Sequence, residues 1–256
     1  MFNGKRVLIT GGSGLIGRHL IKLLLESGSQ VRAVVGSRVL PSDLAEKIEI
    51  VSGDLVQSEF CKEIVKDIDY VFHLAAQALV KKSYSNSTYT WETNTIGTLN
   101  VLESLRSVKK NCIAVFITSD KSYKNLEIKR GYKENDILGG KDPYSASKAS
   151  AELAIQSHIS SFFPLKKTKV FIGIARAGNV IGGGDWSENR LIPDCVKSWS
   201  KNKRVLLRNP NSTRPWQHVL EAVGGYLKLA SDLKKNKKLH GEVFNFGPDH
   251  TQNYKV

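Results

Sequence analysis

The stretch Arg6-Val7-Leu8-Ile9-Thr10-Gly11-Gly12-Ser13-Gly14-Leu15-Ile16-Gly17 decides how this chain is read. A short apolar run of buried-strand character enters a turn with glycines at 11, 14 and 17, and apolar residues at helical spacing follow over 15–27. Gly11 permits the tight turn, Gly14 lets the main chain approach a pyrophosphate, and Gly17 lets the helix pack close. The helix N-terminus, with the amides of Leu15 and Ile16, then supplies an anion site. Further strands are expected over 31–35 and 48–52. Strand, helix and strand in repetition predict an α/β fold: a Rossmann-type doubly wound parallel sheet with right-handed crossovers.

Moving outward, the acidic residue expected about 20 residues past the glycines is missing, and the second strand ends Val35-Gly36-Ser37-Arg38. Arg38, or Arg32 nearby, could accept a 2′-phosphate; Arg38 could equally stack on an adenine or face water. These residues leave the choice between NAD and NADP open. Asp54, beside Leu55, is placed to accept from an adenine amino group or to cap a helix. The run 69–77 reads as a fourth strand ending in Leu74, Ala75 and Ala76, small enough to let a cofactor lie against it. His73, embedded in that strand, reads as a satisfied core histidine. A helix is expected over 94–106, with Asn94 at its start. A fifth strand over 112–118 delivers Ser119-Asp120-Lys121 to its carboxyl end, where ligands bind in open parallel sheets.

Asp142-Pro143-Tyr144-Ser145-Ala146-Ser147-Lys148 opens the next helix, with Pro143 preset for the first turn. Tyr144 and Lys148 fall one turn apart on one face, and a nearby ammonium is expected to lower the phenol's pKa toward the range of a general base. A strand over 169–176 leads into a glycine-rich segment, 177–186, suited to closing over a substrate. A helix over 191–200, a short strand over 205–207 and a helix over 219–233 follow. Arg190, Arg208 and Arg214 could each clamp phosphate, because a guanidinium fork matches paired phosphate oxygens.

At 256 residues, 41% hydrophobic and 24% charged, the chain has the composition of a soluble globular protein. No apolar run is long enough to span a bilayer, so no membrane partner and a cytoplasmic location are expected. Cys61, Cys112 and Cys195 are widely spaced and form no CxxC, which argues against a disulfide framework or a metal site. The net charge of +14 is scattered in short lysine clusters without interleaved aromatics, a solvated surface rather than a nucleic-acid platform.

Together, TGGSGLIG (10–17), HLAA (73–76), Asn94, Ser119-Asp120 and YSASK (144–148) resemble the extended short-chain dehydrogenase/reductase superfamily, the NAD-dependent nucleotide-sugar epimerases and dehydratases. From residue 119 onward, SDKSYKN, GYKENDILGGKDPYSASKASAE, ARAGNVIGGGDWSENRLIPDC, LRNPNSTRPWQHVLE and FNFGP resemble the CDP-glucose 4,6-dehydratases of that family. The resemblance implies oxidation at C4 of a nucleotide-diphosphate sugar, loss of water across C5 and C6, and hydride return to C6. Tyr144 would take the C4 hydroxyl proton, Lys148 would assist it and bond the nicotinamide ribose, Ser119 would hold the C4 oxygen, and Asp120 would protonate the leaving hydroxyl. Lys121, with Tyr123 as the lesser candidate, would remove the C5 proton. Asn179, Arg190, Arg208 and Arg214 would grip the diphosphate. A 4-epimerase or reductase, or a non-catalytic dinucleotide-binding protein, are the alternatives.

Members of the family continue beyond FNFGP, so the expected division is a dinucleotide-binding domain over 1–178 and a partial, apparently truncated substrate lobe over 179–256, interleaved with the sheet. Relatives pair through the helices near 94–106 and 149–162, which implies a homodimer or larger homo-oligomer.

Overall fold

The first strand, β1 (Arg6–Thr10), is buried on both faces: Val7 and Ile9 enter one apolar layer and Leu8 the other. The structure, a computed structural model, describes residues 1–256 apart from Ser37, Arg38, Arg208, His250 and Asn253. Period-two side chains that are apolar on both sides require helices above and below the sheet. These are supplied in order by α1 (Leu15–Glu26), β2 (Gln30–Val35), α2 (Ser42–Ala45), β3 (Glu49–Ser52), α3 (Ser58–Ile64) and β4 (Tyr70–His73). Short helices α4 (Val80–Ser85) and α5 (Ser87–Trp91) lead through a π-helical turn (Glu92–Ile96) into α6 (Gly97–Leu105), then β5 (Cys112–Ile117). The expected helix over 94–106 thus begins inside the wider turn.

Next come α7 (Pro143–Phe162), β6 (Val170–Ala177), β7 (Asn179–Ile181), α8 (Leu191–Trp199), β8 (Thr213–Arg214), β9 (Trp216–His218), α9 (Val219–Lys235), β10 (Val243–Phe246) and β11 (Tyr254–Lys255). Residues 205–207, expected as a strand, belong to no strand among the described residues. Three apolar side chains in a row gave a strand signal there, yet Leu206 is 90% exposed with no neighbouring strand to pair with. Lys234 and Lys235, expected in a loop, complete the last turn of α9, where cations suit the helix dipole.

The main sheet has seven parallel strands in the order β10-β6-β5-β4-β1-β2-β3. The order reverses between β1 and β4, which pair in register from Val7 opposite Tyr70 to Thr10 opposite His73. A crevice opens at such a switch point because the connections leave it in opposite directions. Residues of α1 and α9 fill the layer on one face, and residues of α3, α6 and α7 the layer on the other. Gly173 in β6 is overlaid by α9, where a Cβ would lie 2.8 Å from Leu233 Cδ1. Residues 219–246 therefore return to the sheet after the excursion through β7, α8, β8 and β9. Of two small two-stranded sheets, β7 with β9 lies within that excursion, and the other pairs its β8 with β11, which follows β10. No helix among the described residues is long and apolar enough to cross a membrane, and none of their His, Cys, Asp and Glu side chains form a metal cluster.

Candidate active site

The turn after β1 is bare backbone by necessity. Gly11 has φ 74°, and a Cβ there would lie 2.8 Å from Ala75 N; at Gly17 a Cβ would lie 2.4 Å from the Gly11 carbonyl oxygen. Helix α1 starts at Gly14 with no side-chain cap, so its first amides have no partner within the helix and remain for an anion. These features fit a dinucleotide pyrophosphate, which needs close backbone approach and N–H donors.

A cleft of about 1080 Å³ lies over this turn. Its walls include Gly11, Gly14, Leu15, Ile16, Gly17, Asp54, Leu55, Leu74, Ala75 and Ala76 on the dinucleotide side. Ser119, Asp120, Lys121, Tyr144, Lys148, Asn179, Arg190 and Arg214 complete it. Local sequence places the reactive groups. Asp142 caps α7 with a reciprocal box: its Oδ1 accepts from Ser145 N–H at 3.0 Å, and Ser145 Oγ accepts from Asp142 N–H at 3.3 Å. With Pro143 at the first turn, the helix starts sharply and puts Tyr144 at the cleft floor. Opposite it, Ser119 caps the 3₁₀ turn that follows β5, its Oγ accepting from Lys121 N–H at 3.2 Å and donating to Asp120 Oδ1 at 3.1 Å.

Burial governs the electrostatics. Desolvation pushes the Asp120 carboxyl above its usual range, opposed by Lys121, Ser119 and Arg214. Desolvation lowers the Lys121 ammonium, Asp120 opposes, and Arg214 and Arg190 add to the fall. The Lys121 Nζ lies 6.0 Å from the Tyr144 ring centroid. The expected lowering of the Tyr144 pKa is corrected here: burial pushes it up, with a Ser119 hydrogen bond and Arg190 opposing. Lys148 is not among the groups that move the Tyr144 pKa; its Nζ donates to the Ile117 carbonyl at 3.2 Å, and burial drops its own pKa to about 8.

Other expectations change as well. Asn94 does not line the cleft; it is buried behind it, its Oδ1 accepting from Gln77 N–H at 2.8 Å and its Nδ2 donating to Ser147 Oγ at 2.9 Å and to the Gln77 carbonyl. It thereby ties the β4 exit to α7. Tyr123 turns away: its hydroxyl donates to Asn245 Oδ1 at 2.7 Å, and its ring stacks on Tyr132. Arg32 is committed to Glu49 at 2.8 Å and to the Ile64 carbonyl at 2.9 Å, outside the cleft. Asp54 does not cap α3, whose N-cap is Gln57; its Oδ1 closes a turn with Val56 N–H at 3.0 Å. Arg38 and Arg208 lie outside the described residues. Lys81, Lys82, Tyr84 and Tyr89 also line the cleft and were not foreseen, because α4 and α5 are too short to show a periodic pattern in sequence.

His73 is held as expected. Thr98 Oγ1 gives its proton to the Asn94 carbonyl, so His73 Nε2 donates to Thr98 Oγ1 at 2.9 Å and Nδ1 accepts from Thr10 Oγ1 at 2.8 Å. Burial, with Lys148 adding to it, drops its pKa to about 3. A histidine whose folded pKa lies below its unfolded 6.5 contributes stability that is complete above pH 6.5 and lost as pH falls toward 3. Between pH 7 and pH 5 the loss from this residue is about 2 kcal/mol. Urea unfolding at both pH values should show that the difference shrinks in His73→Gln; an unchanged difference would rule this linkage out.

This arrangement recurs in known proteins. Residues 7–247 match the NAD dependent epimerase/dehydratase family. CDP-glucose 4,6-dehydratase of Salmonella typhimurium is 42% identical, covering 96% of this chain and 72% of its own length. dTDP-D-glucose 4,6-dehydratase of Dictyostelium discoideum is 29% identical over 96% of this chain and 58% of its own length. The solved epimerase Mth375 of Methanothermobacter thermautotrophicus superposes with a TM-score of 0.86 at 27% identity, covering all of this chain and 74% of that one. With the glycine turn, the switch-point cleft and the Tyr144–Lys148 helix in one place, the chain belongs to the NAD dependent epimerase/dehydratase family.

Proposed function

We propose that the cleft carries out 4,6-dehydration of CDP-glucose to CDP-4-keto-6-deoxyglucose with NAD as cofactor. What supports this is the meeting of Ser119, Asp120, Lys121, Tyr144 and Lys148 over the glycine turn, together with the 42% identity to a CDP-glucose 4,6-dehydratase. Simple 4-epimerisation needs a proton acceptor at C4 but no acid and base pair for C5 and C6, so Asp120 beside Lys121 favours dehydration.

Bound NAD would supply the hydride acceptor and donor of the reaction, hydride leaving C4 and returning to C6. Tyr144 is the group that takes the C4 hydroxyl proton, and Ser119 holds that oxygen as charge develops. Asp120, its pKa raised by burial, is moved toward the protonated form needed to give a proton to the departing C6 hydroxyl. Lys121, its pKa lowered by desolvation, is moved toward the neutral form needed to remove the C5 proton. Gly11, Gly14 and Gly17, with the amides of Leu15 and Ile16, would hold the pyrophosphate of NAD. Lys148 would release the Ile117 carbonyl to bond the nicotinamide ribose. Asn179, Arg190 and Arg214 are read as holding the sugar nucleotide's diphosphate. Exposed Leu153 and Phe162 on α7 support a homo-oligomer; a monomeric mass in light scattering would remove that reading.

Incubation of the protein with CDP-glucose and NAD should give a 4-keto product absorbing at alkaline pH, with no net reduction of NAD. Accumulation of CDP-galactose without a 4-keto product would assign the site to epimerisation instead. Binding of NAD without any turnover would assign it to a non-catalytic role.

A further inference from the structure

We propose that Arg18 is a positioning residue that couples the dinucleotide half of the cleft to the sugar-nucleotide half, by fixing the segment that carries Asp185 and Arg190. The inference rests on the two-ligand reading given above and deepens it. Arg18 is the residue next after Gly17 in α1, and its amide donates to the Gly14 carbonyl at 3.1 Å, so it moves with the glycine turn. Its Nη2 donates to the Gly184 carbonyl at 2.6 Å, a bond across 166 residues. Gly184 has φ 84°, a left-handed conformation that favours glycine, and this turn brings its carbonyl to Arg18.

The next residue is Asp185. Its Oδ1 accepts from Ser187 N–H at 3.1 Å and its Oδ2 accepts from Arg190 Nη1 at 3.0 Å. From the other side, Lys197 Nζ of α8 donates to the Trp186 carbonyl at 3.1 Å. The segment is therefore clamped on both sides of Asp185, once by the dinucleotide turn and once by α8. Asp185 and Arg190 line the cleft, whereas Arg18 stands behind it and acts through them. The positive field of Arg190 reaches both Tyr144 and Lys121, so its placement bears on the reacting groups too.

A purely structural role explains Arg18 less well. Its Nε is buried with no hydrogen-bond partner, and an unpaired buried donor weighs against the folded state. An unbranched apolar side chain would keep the stem packing without that burden.

Arg18→Met separates the two roles. Positioning predicts an unchanged or raised Tm, NAD affinity within about twofold, and a KM for CDP-glucose raised about tenfold with a smaller fall in kcat of about threefold, with Arg18→Lys between. A fallen Tm with unchanged KM would make Arg18 structural and overturn the proposal. The coupling is also read without any sugar nucleotide, so that it stands or falls apart from the substrate assignment. Saturating NAD should slow amide hydrogen exchange across residues 184–190 in the parent protein and not in Arg18→Met; equal protection in both would overturn the proposal even if CDP-glucose proves to be the substrate.

Discussion

Tyr144→Phe lowers kcat by about 10²–10⁴-fold and leaves NAD affinity within about threefold of the parent protein. The size follows from the role proposed for the phenol, to take the C4 proton, while the contacts proposed for the dinucleotide lie on the glycine turn. The structure adds a condition. Burial raises the Tyr144 pKa, and Lys148 is bonded to the Ile117 carbonyl, so the phenolate needs positive charge brought to it. Lys148, freed from that carbonyl on binding NAD beside the positively charged nicotinamide, would supply it. Phenolate absorbance, taken as the difference between parent and Tyr144→Phe, should therefore titrate above pH 10 without NAD and at lower pH with it. A variant retaining kcat within about threefold would remove Tyr144 from the reaction.

Arg176→Met destabilises the fold by about 3–5 kcal/mol, a large share of the roughly 5–15 kcal/mol that separates folded from unfolded chains. Glu152 is fully buried on α7, one turn beyond Lys148, and Arg176 lies beside it on β6. Arg176 Nε donates to the two Glu152 oxygens at 2.9 and 3.0 Å, and Nη2 makes a further short contact with Oε1. Thr118, immediately before Ser119, donates to Glu152 Oε2 at 3.0 Å, so the pair also fastens the strand end that carries the acid to the helix that carries the phenol. Removing the guanidinium strands a carboxylate in the core. The double variant Glu152→Met with Arg176→Met removes both charges and should recover most of the loss, since apolar groups of similar volume leave no buried charge unpaired. Urea unfolding measures both; a single-variant cost under about 1 kcal/mol would show that the pair is not the anchor described here.

Tyr144 and Lys148 were legible as neighbours because four residues is one helical turn, and the capping box that starts α7 is written within Asp142 to Ser145. The same holds for β1, its glycine turn and α1. What those neighbours do to each other was not legible: Lys148 finds an acceptor 31 residues away, and Tyr144 responds first to the density of atoms around it. Tyr123 read as a candidate base from its place after Ser119, yet its partner Asn245 is 122 residues distant. Arg32 read as a phosphate ligand by proximity to the second strand's end, but it sits near the opposite end of β2 with Glu49.

By itself, then, the sequence determined the first six strands, the longer helices, the parallel sense of the sheet and the candidates for the reactive groups, because backbone conformation, capping and periodicity act over a few residues. Only the tertiary structure decided which way each pKa moves, which cation pairs with which acid, and which residues face the cleft. Desolvation and Coulomb energy depend on everything packed within several ångströms, and most of that arrives from distant parts of the chain.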